Sequence, residues 1–136
     1  MADTTITAAE LEQRIADLCL GGIGPGLPRK RRDRHILLKA AAMALGQGSE
    51  HSEGAINEVL ESWLDSLGPA VRLDHVSLRR YLIDEGYVER DVAGRVYRVR
   101  EVESQPERFQ LAVESLDSLE IVRRASADRE RRRRRH

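Results

Sequence analysis

Apolar residues recur at helical spacing in five stretches of this chain and alternate with polar ones in a short run between the fourth and fifth. Leu11, Ile15 and Leu18 mark the first stretch, and Thr7-Ala8-Ala9-Glu10 before it is a capping-box pattern, so a helix is expected over 8–20. Gly21, Gly22, Gly24, Pro25, Gly26 and Pro28 follow, and that density of breakers reads as a linker. Ile36, Leu37, Ala40, Ala41, Ala44 and Leu45 give a second helix that should stop near Gly46. Ser52 can cap a third, with Ala55, Ile56, Val59, Leu60, Trp63 and Leu64 as its buried stripe and Gly68-Pro69 as its end. Asp74 caps a fourth helix over 75–85, with Leu78, Tyr81 and Leu82 on one side and Gly86 after it. Tyr87, Val88, Val92, Val96, Tyr97 and Val99 then mark two short β runs around Ala93-Gly94, a hairpin directly after a helix. Gln105-Pro106-Glu107 opens a last helix, striped by Phe109, Ala112, Val113, Leu116 and Leu119. Beyond Arg123 the chain becomes a run of arginines, which repels itself and is expected to be disordered.

Three helices followed by a hairpin is the order of a winged helix. The expected fold is therefore mainly α with a small β-hairpin: a winged helix-turn-helix-like domain with extra N- and C-terminal helices. Residues 1–26 form the N-terminal helix and linker, 27–101 the winged-helix-like domain, 102–125 the C-terminal amphipathic helix and 126–136 the Arg-rich tail. A length of 136 residues suits one core, and with aromatics at only 4% that core must be built from Leu, Val, Ile and Ala.

Charge changes the picture. The chain carries 23 basic and 23 acidic side chains, so the overall basic balance of many nucleic-acid binders is missing. The distribution is uneven. Arg29, Lys30, Arg31, Arg32, Arg34 and Lys39 face one acid, Asp33, while 40–71 has no Lys or Arg and holds Glu50, Glu53, Glu58, Glu61 and Asp65. Such patches steer partners more than net charge does. In the fourth helix Leu78 and Leu82 face the core, so Val76, Arg80 and Ile83 should point away, with Arg79 and Asp84 at the flanks. Its first turns offer His75, Ser77, Arg79 and Arg80 to bases or phosphates. The hairpin adds Arg90, Arg95, Arg98 and Arg100. Candidate DNA-binding residues are thus Arg29, Lys30, Arg31, Arg32, Arg34, His75, Ser77, Arg79, Arg80, Arg95 and Arg98. The structural alternative for 29–34 is pairing with Glu58, Glu61 or Asp65 on the neighbouring helix. The terminal arginines add affinity for nucleic acid by counterion release, or form a solvated tail.

Leu27-Pro28-Arg29-Lys30-Arg31-Arg32 before a helix, and Ile56-Asn57-Glu58-Val59-Leu60 with Trp63, carry a family resemblance. So do 78–91, Leu-Arg-Arg-Tyr-Leu-Ile-Asp-Glu-Gly-Tyr-Val-Glu-Arg-Asp, and Gly94-Arg95-Val96-Tyr97-Arg98. Over 27–99 the chain resembles the bacterial domain of unknown function 2087 family. The resemblance implies a small winged-helix-like fold, often attached to transcriptional regulators or standing alone, and no established activity.

Nothing points to an enzyme, and no cofactor or metal is expected. His35, His51, His75 and Asp74 match no metal-ligand spacing. Cys19, the single cysteine, has no neighbour in sequence to activate it and reads as a buried thiol. The glycines at 21–26 neither follow a strand nor end in Lys-Ser/Thr. With no apolar run near 18 residues and no signal-peptide start, the chain reads as cytoplasmic and not membrane-bound. Two readings stand. One is a winged-helix transcriptional regulator that reads DNA with 75–85 and 87–100 and dimerises through the N- and C-terminal helices. The other is a non-catalytic protein-interaction or assembly module on the same scaffold. A continuous basic face joining 29–34, 79–80 and 95–98 favours the first; acid–base pairing that erases it favours the second.

Overall fold

The computed structural model describes residues 4–22 and 24–135. Among them lie helices α1 (Ala8–Gly21), α2 (Arg31–Leu45), α3 (Glu53–Leu67), α4 (His75–Asp84) and α5 (Ser118–Arg135). Strands β1 (Glu50–His51), β2 (Val88–Arg90) and β3 (Tyr97–Val99) form an antiparallel sheet in the order β1-β3-β2. The helix starts follow local chemistry. Thr7 Oγ1 accepts the Glu10 N–H at 3.1 Å, Ser52 Oγ that of Ala55 at 3.1 Å, and Asp74 Oδ1 that of Ser77 at 2.7 Å. Each bond satisfies a backbone donor the helix cannot.

Helix α2 is the spine. Ile36, Leu37, Leu38, Ala40, Ala41 and Ala42 are all buried, so α2 is apolar on almost every side, as a central helix must be. Its alanines let neighbours come close, and it packs against α1, α3 and α4. Ile56, Leu60 and Trp63 of α3 and Leu78 and Leu82 of α4 complete one core with Tyr87, Val88, Tyr97 and Val99 of the sheet region. Gly94 turns the hairpin at φ +70°, a conformation an L side chain adopts only under strain.

The structure departs from the sequence reading in five places. The β-hairpin gains a third strand: Glu50 pairs with Arg98 and His51 with Tyr97. Two residues are too short a run to show a period. The helix expected from Pro106 is absent. Residues 102–104 and 111–115 are single 3-10 turns, and α5 begins only at Ser118. The apolar residues of that stretch instead tie the segment before α5 to the one before α1, with Ile6 bridging to Phe109. The Arg-rich tail is helical through Arg135, with His136 outside the described residues. Arg131 pairs with Asp128 and Arg133 with Glu130, contacts one turn apart that offset the like-charge repulsion. Ile83 is half-buried against the core rather than turned outward.

Finally, α1 is no appendage. Leu11, Ile15 and Cys19 belong to the same core, and α5 packs along α1. Of the two apolar stripes that suggested a dimer, that of α1 is used in this core, and that of the stretch after Pro106 is only partly buried, with Leu119 exposed. Among the described residues no helix is long and apolar enough to cross a membrane.

Candidate nucleic-acid interface

The basic run at the start of α2 is largely neutralised in place. Arg31 Nη1 sits 2.7 Å from Glu107, and Arg32 forks onto Glu10 at 2.8 and 2.6 Å. That guanidinium holds the Glu10 carboxyl below its usual range. Arg34 donates to the Arg29 carbonyl at 2.7 Å. Asp33 is buried and gripped from α1 by Arg14 at 3.0 and 3.1 Å. The partners are not Glu58, Glu61 or Asp65, as the sequence suggested, but acids on α1 and on the segment before α5. Arg29 and Lys30 remain exposed, and among the described residues no acid pairs with either.

Lys39 counted toward the basic run but is 1% exposed. Its Nζ lies 2.6 Å from Gln105 Oε1 and 2.7 Å from Glu114 Oε2, and 5.4 Å from the centre of the Phe109 ring. It fastens the segment before α5 onto α2. A lysine inside Ile36-Leu37-Leu38-Lys39-Ala40-Ala41-Ala42 was the signal for this, because a run apolar on both sides buries whatever it contains.

The first turns of α4 are occupied too. Asp74 takes the Ser77 N–H at 2.7 Å and the Ser77 hydroxyl at 3.0 Å, which lowers its pKa and keeps it charged. A carboxylate thus fills the donors that a phosphate would need. His75 Nδ1 faces Glu61 at 3.9 Å. Arg79, with its side chain 16% exposed, donates to Asn57 Oδ1 at 2.6 Å, faces Glu53 at 3.3 Å and lies 5.3 Å from the centre of the Tyr97 ring. It is an internal strut between α3, α4 and β3. Arg80 remains exposed, against the Tyr81 ring.

The sheet shows the same pairing. Register places Arg98 between Glu50 and Glu89 on its two neighbouring strands, and Arg100 lies 3.0 Å from Glu89. At the hairpin tip, Asp91 Oδ1 accepts the N–H groups of Arg95 and Val96 at 2.7 and 3.1 Å, leaving the Arg95 side chain exposed beside a fully exposed Val92. The candidate residues therefore divide. Arg31, Arg32, Arg34, His75, Ser77, Arg79 and Arg98 have partners within the fold, whereas Arg29, Lys30, Arg80 and Arg95 are open.

A family model described as an uncharacterized protein conserved in bacteria (DUF2087) matches residues 26–99, more than half of the chain. The chain belongs to the DUF2087 family. No curated protein and no solved structure matches it. The DUF2087 segment holds α2, α3, α4 and the sheet, while the partners of Arg31 and Arg32 lie outside it, at Glu107 and Glu10.

Two further features complete the surface. A cavity of about 320 Å³ opens between α1, α2, α3 and the start of α5, lined by Leu11, Met43, Ala44, Trp63, Leu116 and Leu119 among others. Trp63 Nε1 donates to Ser118 Oγ at 2.9 Å across it. It continues over Ala44, Val59 and Leu119 onto the outer face of α3, where Glu58 forms a rim. Burial pushes the Cys19 thiol up to about 11, which removes it as a nucleophile near neutral pH. His35, His51 and His75 are separately engaged, with Tyr87, Ser49 and Glu61.

Proposed function

We propose that this chain is a non-catalytic protein-interaction module built on the winged-helix-like scaffold of its DUF2087 segment, with α1 and the start of α5 completing the binding surface. The helix order α2-α3-α4 followed by a hairpin supports the scaffold. The observation that carries the reading is the pairing of the basic residues. Arg31, Arg32, Arg79 and Arg98 meet carboxylates of the same chain, so the surface a DNA reader needs is broken up. The apolar cleft at Trp63, edged by Glu58 and Asp117, offers a binding surface of another kind. Its chemistry suits a partner helix with an apolar stripe flanked by Lys or Arg.

The test is affinity capture from a bacterial lysate with the wild-type chain and with Val59→Arg/Leu119→Arg, followed by measurement of the identified partner against both. Loss of the partner by the cleft variant, with retention by Arg80→Ala, supports the module. A partner that binds both equally would move the surface elsewhere and overturn the assignment.

A second reading has its own observation. Arg80 on the outer face of α4 and Arg95 at the hairpin tip are exposed and pair with no acid among the described residues, in a helix-plus-wing arrangement that suits DNA. Sequence-selective duplex binding that Arg80→Ala and Arg95→Ala abolish would establish that reading instead.

A further inference from the structure

The second half of α5 has no use in the core. Residues 128–135 hold six arginines, two acids and no apolar side chain. Their base is secured: Val122 is buried, and Arg129 reaches Asp17 on α1 at 2.9 Å. Leu20, Ser126, Arg129, Arg132 and Arg133 line a shallow hollow, so α5 crosses the last turn of α1, which ends at Gly21. Even there the arginines are open, 78% exposed for Arg133 at the hollow and 77% for Arg134 beyond it. Asp128 and Glu130 partner Arg131, Arg133 and Arg134, while Arg132 and Arg135 have no acid partner among the described residues.

Geometry says what such an arm fits. Successive residues turn about 100°, so arginines at five consecutive positions surround the helix instead of forming a stripe. A flat acidic protein face engages one side of a helix; a ligand charged on two sides engages all of it. A helix with its side chains is about 10–12 Å across, and the major groove of a duplex, walled by phosphates on both sides, is about 12 Å wide. The lack of an apolar face removes the anchoring that an interfacial membrane helix needs.

We propose that residues 129–135 are a sequence-independent arm for the phosphate backbone of duplex nucleic acid, separate from the protein-binding cleft. The test is fluorescence anisotropy of the full chain with two unrelated DNA duplexes of about 20 base pairs, at salt from about 50 to 200 mM. The variant for comparison is Arg131→Gln/Arg132→Gln/Arg134→Gln/Arg135→Gln, which spares the Arg129–Asp17 anchor; circular dichroism checks its fold.

Both duplexes should bind equally, and three to four released counterions should weaken binding by about 100-fold over that salt range. The glutamine variant should lose about 30-fold or more at low salt and most of the salt dependence. Absence of binding at low salt, or equal binding by the variant, would overturn the proposal. So would salt-sensitive self-association by sedimentation without DNA binding, which would give the arm to the acidic α3 face of a second copy. Failure here leaves the cleft experiment untouched, because that variant changes neither Val59 nor Leu119.

Discussion

Arg79 separates a structural from a DNA-contacting role more sharply than any other candidate. Truncation to alanine removes a charged hydrogen bond of 2.6 Å to Asn57, a cation–π contact of 5.3 Å to Tyr97 and the aliphatic stem that packs between α3 and β3. A charged hydrogen bond is worth roughly 1.5 kcal/mol or more, and a partly exposed cation–π contact about 0.5–1. The pair with Glu53 adds little, because that carboxylate is 58% exposed and screened. Arg79→Ala should therefore cost about 2–3 kcal/mol, or roughly 8 °C in melting temperature for a domain of this size. Arg79→Lys should cost about half as much, since an ammonium cannot hold Asn57 and lie flat on Tyr97 together. Arg80→Ala, on an open side chain one residue on, should stay within about 0.5 kcal/mol. Urea unfolding followed by circular dichroism measures all three. If Arg79→Ala unfolds like the wild type yet weakens duplex binding tenfold, the strut assignment is wrong and the α4 surface faces nucleic acid.

Other consequences are simpler to state. Asp74→Ala removes the cap of α4 and should cost about 1–2 kcal/mol, whereas Asp74→Asn, itself a good cap, should cost much less; chemical denaturation compares them. Gly94→Ala forces a side chain into φ +70° and toward the Arg90 guanidinium, and should lose about 1–2 kcal/mol, read as a lower urea midpoint with an unchanged slope. His35 is buried beside Tyr87, its Nδ1 2.8 Å from the phenol oxygen, and desolvation, aided by Arg31 and Arg34, lowers its pKa against the pull of Glu107 and Glu85. The unfolded chain, with its ordinary value of 6.5, therefore takes up the proton first. Stability should hold above that pH and fall below it, and the difference in unfolding free energy between wild type and His35→Gln should shrink on acidification from pH 7.5 to 5.

What could be read from the chain in advance follows from the range of each interaction. Caps and breakers act over three or four residues, so Thr7, Ser52 and Asp74 announced three helix starts within a residue. The period-two run at 96–99 gave β3, but β1, two residues long, is held by a partner nearly fifty positions away. Phe109, Val113 and Leu116 kept a helical spacing without a helix, because burial against Ile6 and α2 decided their backbone. The candidate site was legible as a list of charges, not as a surface. Arg31 meets Glu107 and Arg32 meets Glu10 across 76 and 22 positions, separations at which a sequence shows who is charged but not who is paired.

The zero net charge takes on a different meaning once the pairs are known. With 128–135 set aside, the rest of the chain carries 17 basic and 21 acidic side chains. Much of that basic complement is already held in pairs, while α3 keeps Glu58, Glu61 and Asp65 exposed. The body is therefore an acidic object that a phosphate backbone repels, and the end of α5 is a cationic one that the same backbone attracts. Neutrality here is a sum over two oppositely charged regions, not the mark of a featureless surface. On the proposal above, duplex binding rests on 129–135, outside the DUF2087 segment at 26–99, whose own 12 basic and 11 acidic side chains nearly cancel.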